Sequence, residues 1–290
     1  MKGKVEYVMK LLFAMYLLFS VQPTDLSENI SILHNQKEVK SLHRSELTLF
    51  PSDQVMLDYS KVDELLDSID SSTYKPPINA YINEQHQLVS EEVGYRLDER
   101  KFLELLYTRY FSGGPATLRI PLQTLHPRVD SELLSSIRTK QIGYYTTTFN
   151  TRNKQRSQNI RLASQAINNH VVFPGEIFSF NSVVGKRTTE KGYLPAPVIV
   201  KGELSEGIGG GICQVSSTLF NAVDYAKVDI IERYSHSRSV PYVPPNRDAT
   251  VSWYGPDFTF RNQHNQPILI QSKIYHGTLS ISIFSSDAFE

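Results

Sequence analysis

The sequence predicts an α+β chain: a small N-terminal α+β module followed by a β-rich domain with a cysteine at a helix N-terminus. Three observations carry that expectation. Helical spacing of apolar residues appears in only a few segments, and alternating or β-branched segments separate them. The first half holds no cysteine and no dense polar cluster. The sole cysteine of 290 residues, Cys213, sits between a glycine run and an amphipathic pattern.

In chain order, Lys2, Lys4 and Lys10 flank an apolar run from Leu11 to Val21, which Gln22-Pro23 ends. The run suits an export signal and is short of the ~20 residues of a spanning helix. Its cleavage pattern is poor, so residues 1–27 are assigned as a signal peptide or a membrane anchor. Residues 28–47 are polar and weakly periodic, and read as a tether. Residues 48–135 form the first module. Leu57, Val62, Leu65, Leu66 and Ile69 recur at helical spacing behind Asp58 or Ser60, either of which can cap. Pro76-Pro77 stops that helix. Ile78 to Asn83 alternates, and Gln87 to Ser90 can pair with it across a turn. A second helix spans about Asp98 to Phe111, with Phe102, Leu105, Leu106 and Tyr110 on one face. Gly113-Gly114-Pro115 ends it, and Ala116 to Leu122 is a strand.

Residues 138–288 form the second unit. Tyr144 to Phe149 is aromatic and β-branched, hence a strand. A basic run, Arg152 to Arg161, leads into a helix through Ala163, Ala166 and Ile167; it can dock an anion, though a solvated face is the commoner reason for such a run. Phe173 to Asn181 is turn then strand, and Ala196 to Val200 is a strand. Segments 258–262, 267–271 and 279–284 close the β-rich unit. We find no internal repeat and no low-complexity segment.

Composition bounds the function. A 40% hydrophobic content supports a core, and 30 basic residues balance 30 acidic ones. That balance argues against broad nucleic-acid binding. One cysteine and eight scattered histidines do not make a structural zinc site. No phosphate-loop lysine follows Gly207 to Gly211, and no serine elbow is present. No metal and no cofactor is expected.

The chemistry concentrates around Gly207-Ile208-Gly209-Gly210-Gly211-Ile212-Cys213-Gln214-Val215. The glycines read as a loop, and the pattern after Cys213 is helical. A helix N-terminus favours a thiolate, and glycines leave backbone N–H groups open to an oxyanion. The competing interpretation is a small buried hydrophobe. His236 follows a strand, and Asp248 begins what reads as a second strand after Pro244-Pro245-Asn246. The order Cys213, His236, Asp248 suits a thiol acyl-transfer site, with His236 as base and Asp248 as its orienting group. A loop histidine and a turn-capping aspartate are the bland alternatives. Ser216 and Ser217 are expected to satisfy local backbone groups.

Several segments together resemble the VanW family of bacterial cell-surface proteins: Phe173 to Asn181, Val184 to Thr188, Gly209 to Leu219, Glu232 to Ser237 and Asp248 to Val251. The N-terminal module more weakly resembles the peptidoglycan-binding domain that often precedes VanW domains. The resemblance implies a cell-wall protein acting on peptidoglycan stem peptides, exported to the cell surface or wall. It implies an L,D-transpeptidase-like enzyme with Cys213 as nucleophile. Gly211, Ile212 and Gln214 would then serve the oxyanion, and Arg233, Arg238 or Arg247 a substrate carboxylate. Tyr242, Trp253 and Tyr254 are candidate walls. A non-catalytic wall-binding accessory, linked to glycopeptide-antibiotic response, is the second implication.

Overall fold

In the computed structural model, residues 28–50, 53–200 and 203–289 are described. The expected signal or anchor segment, residues 1–27, lies outside them. Among the described residues no helix is long and apolar enough to cross a membrane. The described residues divide into two compact units, the first up to residue 78 with 92–127, and the second 79–91 with the residues from 128 onward.

The first unit starts with strands, where the sequence suggests a tether. β1 (Asn29–His34) pairs antiparallel with β2 (Lys37–His43). Ile30 and Ile32 alternate inward and are fully buried. Two apolar residues in a polar stretch suffice, because the rest of the core comes from distant segments. A 3-10 turn (Arg44–Leu47) leads to the short pair β3 (Thr48–Phe50) and β4 (Asp53–Leu57). Helix α1 (Tyr59–Thr73) is capped by Asp58 and buries Val62, Leu65, Leu66 and Ile69, as its spacing predicts.

The hairpin β5 (Tyr81–Ile82) and β6 (Leu88–Val89) belongs to the second unit, where Asn169 donates to and accepts from the Ile82 backbone. β7 (Gly94–Leu97) returns to the first unit, followed by α2 (Glu99–Ser112) under its Asp98 cap. Phe102, Leu106 and Tyr110 are buried there, and Leu105 is exposed. The buried Arg44 donates to the Arg109 carbonyl at 2.7 Å and to that of Tyr110, satisfying the end of α2. β8 (Ala116–Arg119) runs parallel to β1, and β9 (Leu122–Leu125) pairs with β7.

The second unit includes a helix that the sequence analysis did not assign: α3 (Ser131–Ile137), capped by Asp130. β10 (Lys140–Thr148) opens the main sheet, and α4 (Lys154–Ile167) follows its Asn153 cap. β11 (His170–Val172) and β12 (Ile177–Ser179) lead to a short helix, α5 (Phe180–Val184). The hairpin β13 (Pro195–Val200) and β14 (Glu203–Ile208) precedes α6 (Ile212–Tyr225). Last come β15 (Asp229–Glu232), β16 (Thr259–Arg261), β17 (Ile268–Tyr275) and β18 (Thr278–Ser285). The main sheet has order β10-β18-β17-β11 and is antiparallel; a second sheet has order β12-β16-β15.

α6 lies in the core between these sheets' apolar residues. Val215, Leu219, Ala222 and Val223 pack with Ile281, Ile283 and the ring cluster Phe220, Phe258 and Phe260. Its backbone rests on β10 through Gly143, where an added methyl would lie 2.1 Å from the Ala222 carbonyl oxygen. Gly143→Ala must therefore push α6 off the sheet. We expect it to cost about 1–3 kcal/mol, read as a lower midpoint in urea unfolding; a change within about 0.5 kcal/mol, typical of an uncrowded surface site, would contradict this packing.

Candidate active site

The glycine run is a packed turn, not the open loop the sequence suggests. Gly207 and Ile208 still belong to β14. A methyl at Gly210 would meet the Ala196 and Pro197 carbonyl oxygens at 2.6 Å. Gly211 has φ +109°, a conformation that favours glycine, and a methyl there would come within 2.8 Å of the Arg156 stem. The Ile212 N–H is taken by the Gly209 carbonyl at 3.2 Å. Among the described residues the Cys213 N–H has no hydrogen-bond partner, so it is the amide left at this helix start.

Eleven of the fourteen residues of α6 are buried, Gln214, Ser216, Ser217, Thr218 and Asn221 of its polar residues among them. Its polar face bonds the chain from Arg247 to Ala249. Ser216 Oγ donates to the Ala249 carbonyl at 2.6 Å, the Ala249 N–H donates to Ser217 Oγ at 2.9 Å, and Asn221 Nδ2 donates to the Arg247 carbonyl at 2.7 Å. Segment 248–251 belongs to no strand or sheet, which corrects the expected strand from Asp248. Helix side chains do the work of a neighbouring strand.

This arrangement brings the three expected groups together. Cys213 Sγ donates to the Val251 carbonyl at 3.5 Å and lies 3.9 Å from Thr250 Oγ1. Asp248 Oδ2 accepts from the His236 backbone N–H and from the ring Nδ1, each at 2.6 Å. A carboxylate only accepts, so Nδ1 carries the hydrogen and Nε2 is the nitrogen free to exchange a proton. The His236 and Asp248 side chains are 6% and 9% exposed, which shelters the pair from screening.

Burial pushes the Cys213 thiol up, but the neighbouring His236 and its charge more than offset it. The thiol pKa therefore falls below its ordinary value. Burial lowers His236, and Cys213 and Asp248 together raise it above the ordinary histidine value. Burial raises Asp248, and its bonds to His236 bring it below the usual carboxylate value. All three directions favour a thiolate–imidazolium–carboxylate array.

A cavity of about 880 Å³ opens on the thiol, with His236, Tyr242, Thr250 and Trp253 in its wall. Tyr254 is 84% exposed and outside it. Gln214 is 1% exposed and has no spare donor: Nε2 donates to Thr147 Oγ1 and the Thr148 carbonyl, while Oε1 accepts from Arg156. It orients an arginine rather than an oxyanion. Gly211 and Ile212 line the cavity, but their part is packing and turn formation.

None of the three nominated arginines lines this cavity. Arg247 pairs with Asp224 at 2.7 Å and donates to Asn221, and Arg233 donates to the Asp248 carbonyl at 2.7 Å. Both guanidinium carbons sit 4.9 Å from the Phe220 ring centre, so they brace α6. Arg238 is exposed. The cavity arginines are instead Arg156 and Arg187. Arg156 shares the spacing of Ile160, Ala163 and Ile167, the buried face of α4, which was the available signal. Arg187 follows α5 in a loop, and no periodicity marks it. Among the described residues no group of three or more histidine, cysteine or acidic side chains could hold a metal ion.

The site falls within a recognised family. A profile described as "VanW like protein" matches residues 155–284, and one described as "Putative peptidoglycan binding domain" matches residues 22–119. The chain is 51% identical over 271 residues to the uncharacterized protein YoaR of Bacillus subtilis (strain 168), covering 93% of this chain and 89% of that protein. The chain belongs to the VanW-like protein family. It is also 32% identical over 110 residues to the vancomycin B-type resistance protein VanW of Enterococcus faecalis (strain ATCC 700802 / V583), covering 36% of this chain and 40% of that protein. No solved structure matches the chain. The VanW-like segment contains Cys213, His236, Asp248, Arg156 and Arg187. The N-terminal match begins before β1, which agrees with residues 29–43 belonging to the first unit rather than to a tether.

A lowered thiol pKa means the thiolate persists as pH falls below the ordinary cysteine range near ~8.5. The rate of Cys213 alkylation by iodoacetamide should therefore reach half its plateau below that value. In His236→Ala the lowering partner is gone and burial remains, so the midpoint should move up. A midpoint at or above ~8.5 in the native protein, unmoved by His236→Ala, would refute the coupled pair.

Proposed function

We propose that the chain works on peptidoglycan at the bacterial cell wall, as a cysteine-dependent acyltransferase of the L,D-transpeptidase type. The N-terminal match to a peptidoglycan-binding profile supports the wall as the site of action. The observation that carries the chemistry is the His236 Nδ1 contact with Asp248 at 2.6 Å, in the cavity wall beside the sole thiol. A core cysteine needs no oriented, carboxylate-held histidine next to it.

In this proposal His236 Nε2 takes the thiol proton and Cys213 Sγ bonds to the carbonyl carbon of an L-centre residue in a stem peptide. The negative oxygen is held by the Cys213 N–H. The amide C–N bond to the terminal D-residue breaks, and His236 delivers its proton to the departing amine. An amine from a second stem then attacks the thioester. Its C–N bond forms, the C–S bond breaks, and His236 takes the amine proton and returns it to sulfur. Water in place of that amine gives trimming instead of a cross-link.

A second class of function is favoured by the N-terminal match and by the resistance protein among the relatives: wall binding as an accessory, without chemistry. The two diverge in one experiment. Incubating the purified protein with a stem tetrapeptide should give a tripeptidyl adduct on Cys213 by intact mass and release the terminal D-amino acid. Cys213→Ala should give neither, and His236→Ala should slow the reaction by about 10²–10⁴-fold. No adduct and no released amino acid, with sacculus binding equal in the native protein and Cys213→Ala, would leave the accessory function standing.

A further inference from the structure

Arg156 and Arg187 are charged groups that no carboxylate contacts among the described residues. Both line the cavity that holds Cys213, and no aspartate or glutamate does. Among the described residues neither forms a salt bridge. Each is aimed by a neutral amide. Arg156 Nη2 donates to Gln214 Oε1 at 2.8 Å, and Gln214 Nε2 is committed to Thr147 and Thr148, so its oxygen must face the arginine. Arg187 Nη2 donates to Asn181 Oδ1 at 2.7 Å, and Asn181 Nδ2 is committed to the Ser252 and Pro256 carbonyls. The second terminal nitrogen of Arg187, Nη1, is buried with no hydrogen-bond partner. A buried donor without a partner is costly and rare in a settled structure.

The two stems, from different elements, pack against the same turn. A methyl at Gly209 would meet the Arg187 stem at 3.4 Å, and one at Gly211 the Arg156 stem at 2.8 Å. Gly209 and Gly211 are at most about 7 Å apart, so both stems flank the turn that leads into Cys213. Burial lowers both guanidiniums; Tyr242 and then Cys213 raise Arg156, and Tyr193, then Cys213 and Asp257, raise Arg187, so both feel the thiolate. A guanidinium presents paired N–H groups in the geometry of a carboxylate.

The geometry points to Arg156 and Arg187 as a carboxylate-binding site beside the reactive thiol, which takes the free C-terminal carboxylate of the peptide that Cys213 attacks. The identity of that carboxylate rests on the acyl-transfer proposal; the site itself does not. It selects a peptide that ends just past the scissile bond over one that is extended or amidated there.

The first test needs no substrate. Iodoacetate and iodoacetamide alkylate the same thiolate, so their rate ratio cancels the thiol pKa and reads only recruitment of the carboxylate. In the full chain, Arg156→Gln and Arg187→Gln should each lower the iodoacetate-to-iodoacetamide ratio about tenfold, the loss of one charge-assisted hydrogen bond. Arg156→Lys and Arg187→Lys, which keep the charge, should retain part of it. The iodoacetamide rate reports that each variant still holds its thiol site. A ratio unmoved by both glutamine variants overturns the site.

The second test measures binding to the full chain carrying Cys213→Ala by calorimetry, with a stem tetrapeptide ending in D-alanine and with its C-terminal amide. The acid should bind about tenfold tighter, and the difference should vanish on adding Arg156→Gln or Arg187→Gln. Equal binding of acid and amide overturns the C-terminal assignment. An arginine-dependent alkylation ratio with no binding of either peptide supports the carboxylate site and instead overturns the wall-peptide proposal.

Discussion

The site depends on one set of hydrogen bonds, those from the buried polar face of α6 to the backbone between Arg247 and Ala249. Ser217 shows why. Its hydroxyl accepts from the Ala249 N–H at 2.9 Å and donates to the Cys213 carbonyl at 2.6 Å. One side chain therefore couples the residue carrying the thiol to the segment carrying Asp248. Asn221 and Ser216 repeat the tie on either side. Segment 248–251 has no strand to pair with, so these bonds satisfy backbone groups that would otherwise be buried alone at about 1–3 kcal/mol each. Rigidity of the Cys213–His236–Asp248 array is a consequence of a folding requirement.

Charge in the cavity follows from the same geometry. Asp248 is the carboxylate nearest the array, and both His236 N–H groups occupy its Oδ2. The remaining charges near the thiol are positive: His236, Arg156 and Arg187. Such surroundings hold sulfur as an anion despite its burial. They also leave the cavity short of negative charge until an anionic ligand enters. Thiolate stabilisation and carboxylate recognition thus come from one electrostatic bias, built on Gln214 and Asn181 orienting arginines without neutralising them.

Much of the fold was legible in periodicity. Asp58 and Asp98 capped the helices their spacing predicted, and Phe102, Leu106 and Tyr110 reached the core. Cys213, His236 and Asp248 could be nominated from residue type, order and element, because those signals are local. What failed depended on tertiary partners. Ile30 and Ile32 looked too sparse for a core strand until α1, α2 and β8 supplied the rest. Ser216 and Ser217 were expected to bond local backbone, and the segment they also reach, around Ala249, lies more than twenty residues away. The arginines were misassigned for the same reason. Arg233 and Arg247 are near His236 and Asp248 in sequence yet brace Phe220, whereas Arg156 and Arg187 arrive from other elements.

The central claim is that Cys213 and His236 titrate as a coupled pair held by Asp248. The most direct measurement is the ¹⁵N NMR titration of the His236 imidazole against pH, in the native protein and in Cys213→Ala. His236 is raised by Cys213 and Asp248, so it should stay protonated above the ordinary histidine value near ~6.5. Removing the thiolate should bring its midpoint down. A His236 midpoint at or below ~6.5, the same with and without the sulfur, would contradict the account.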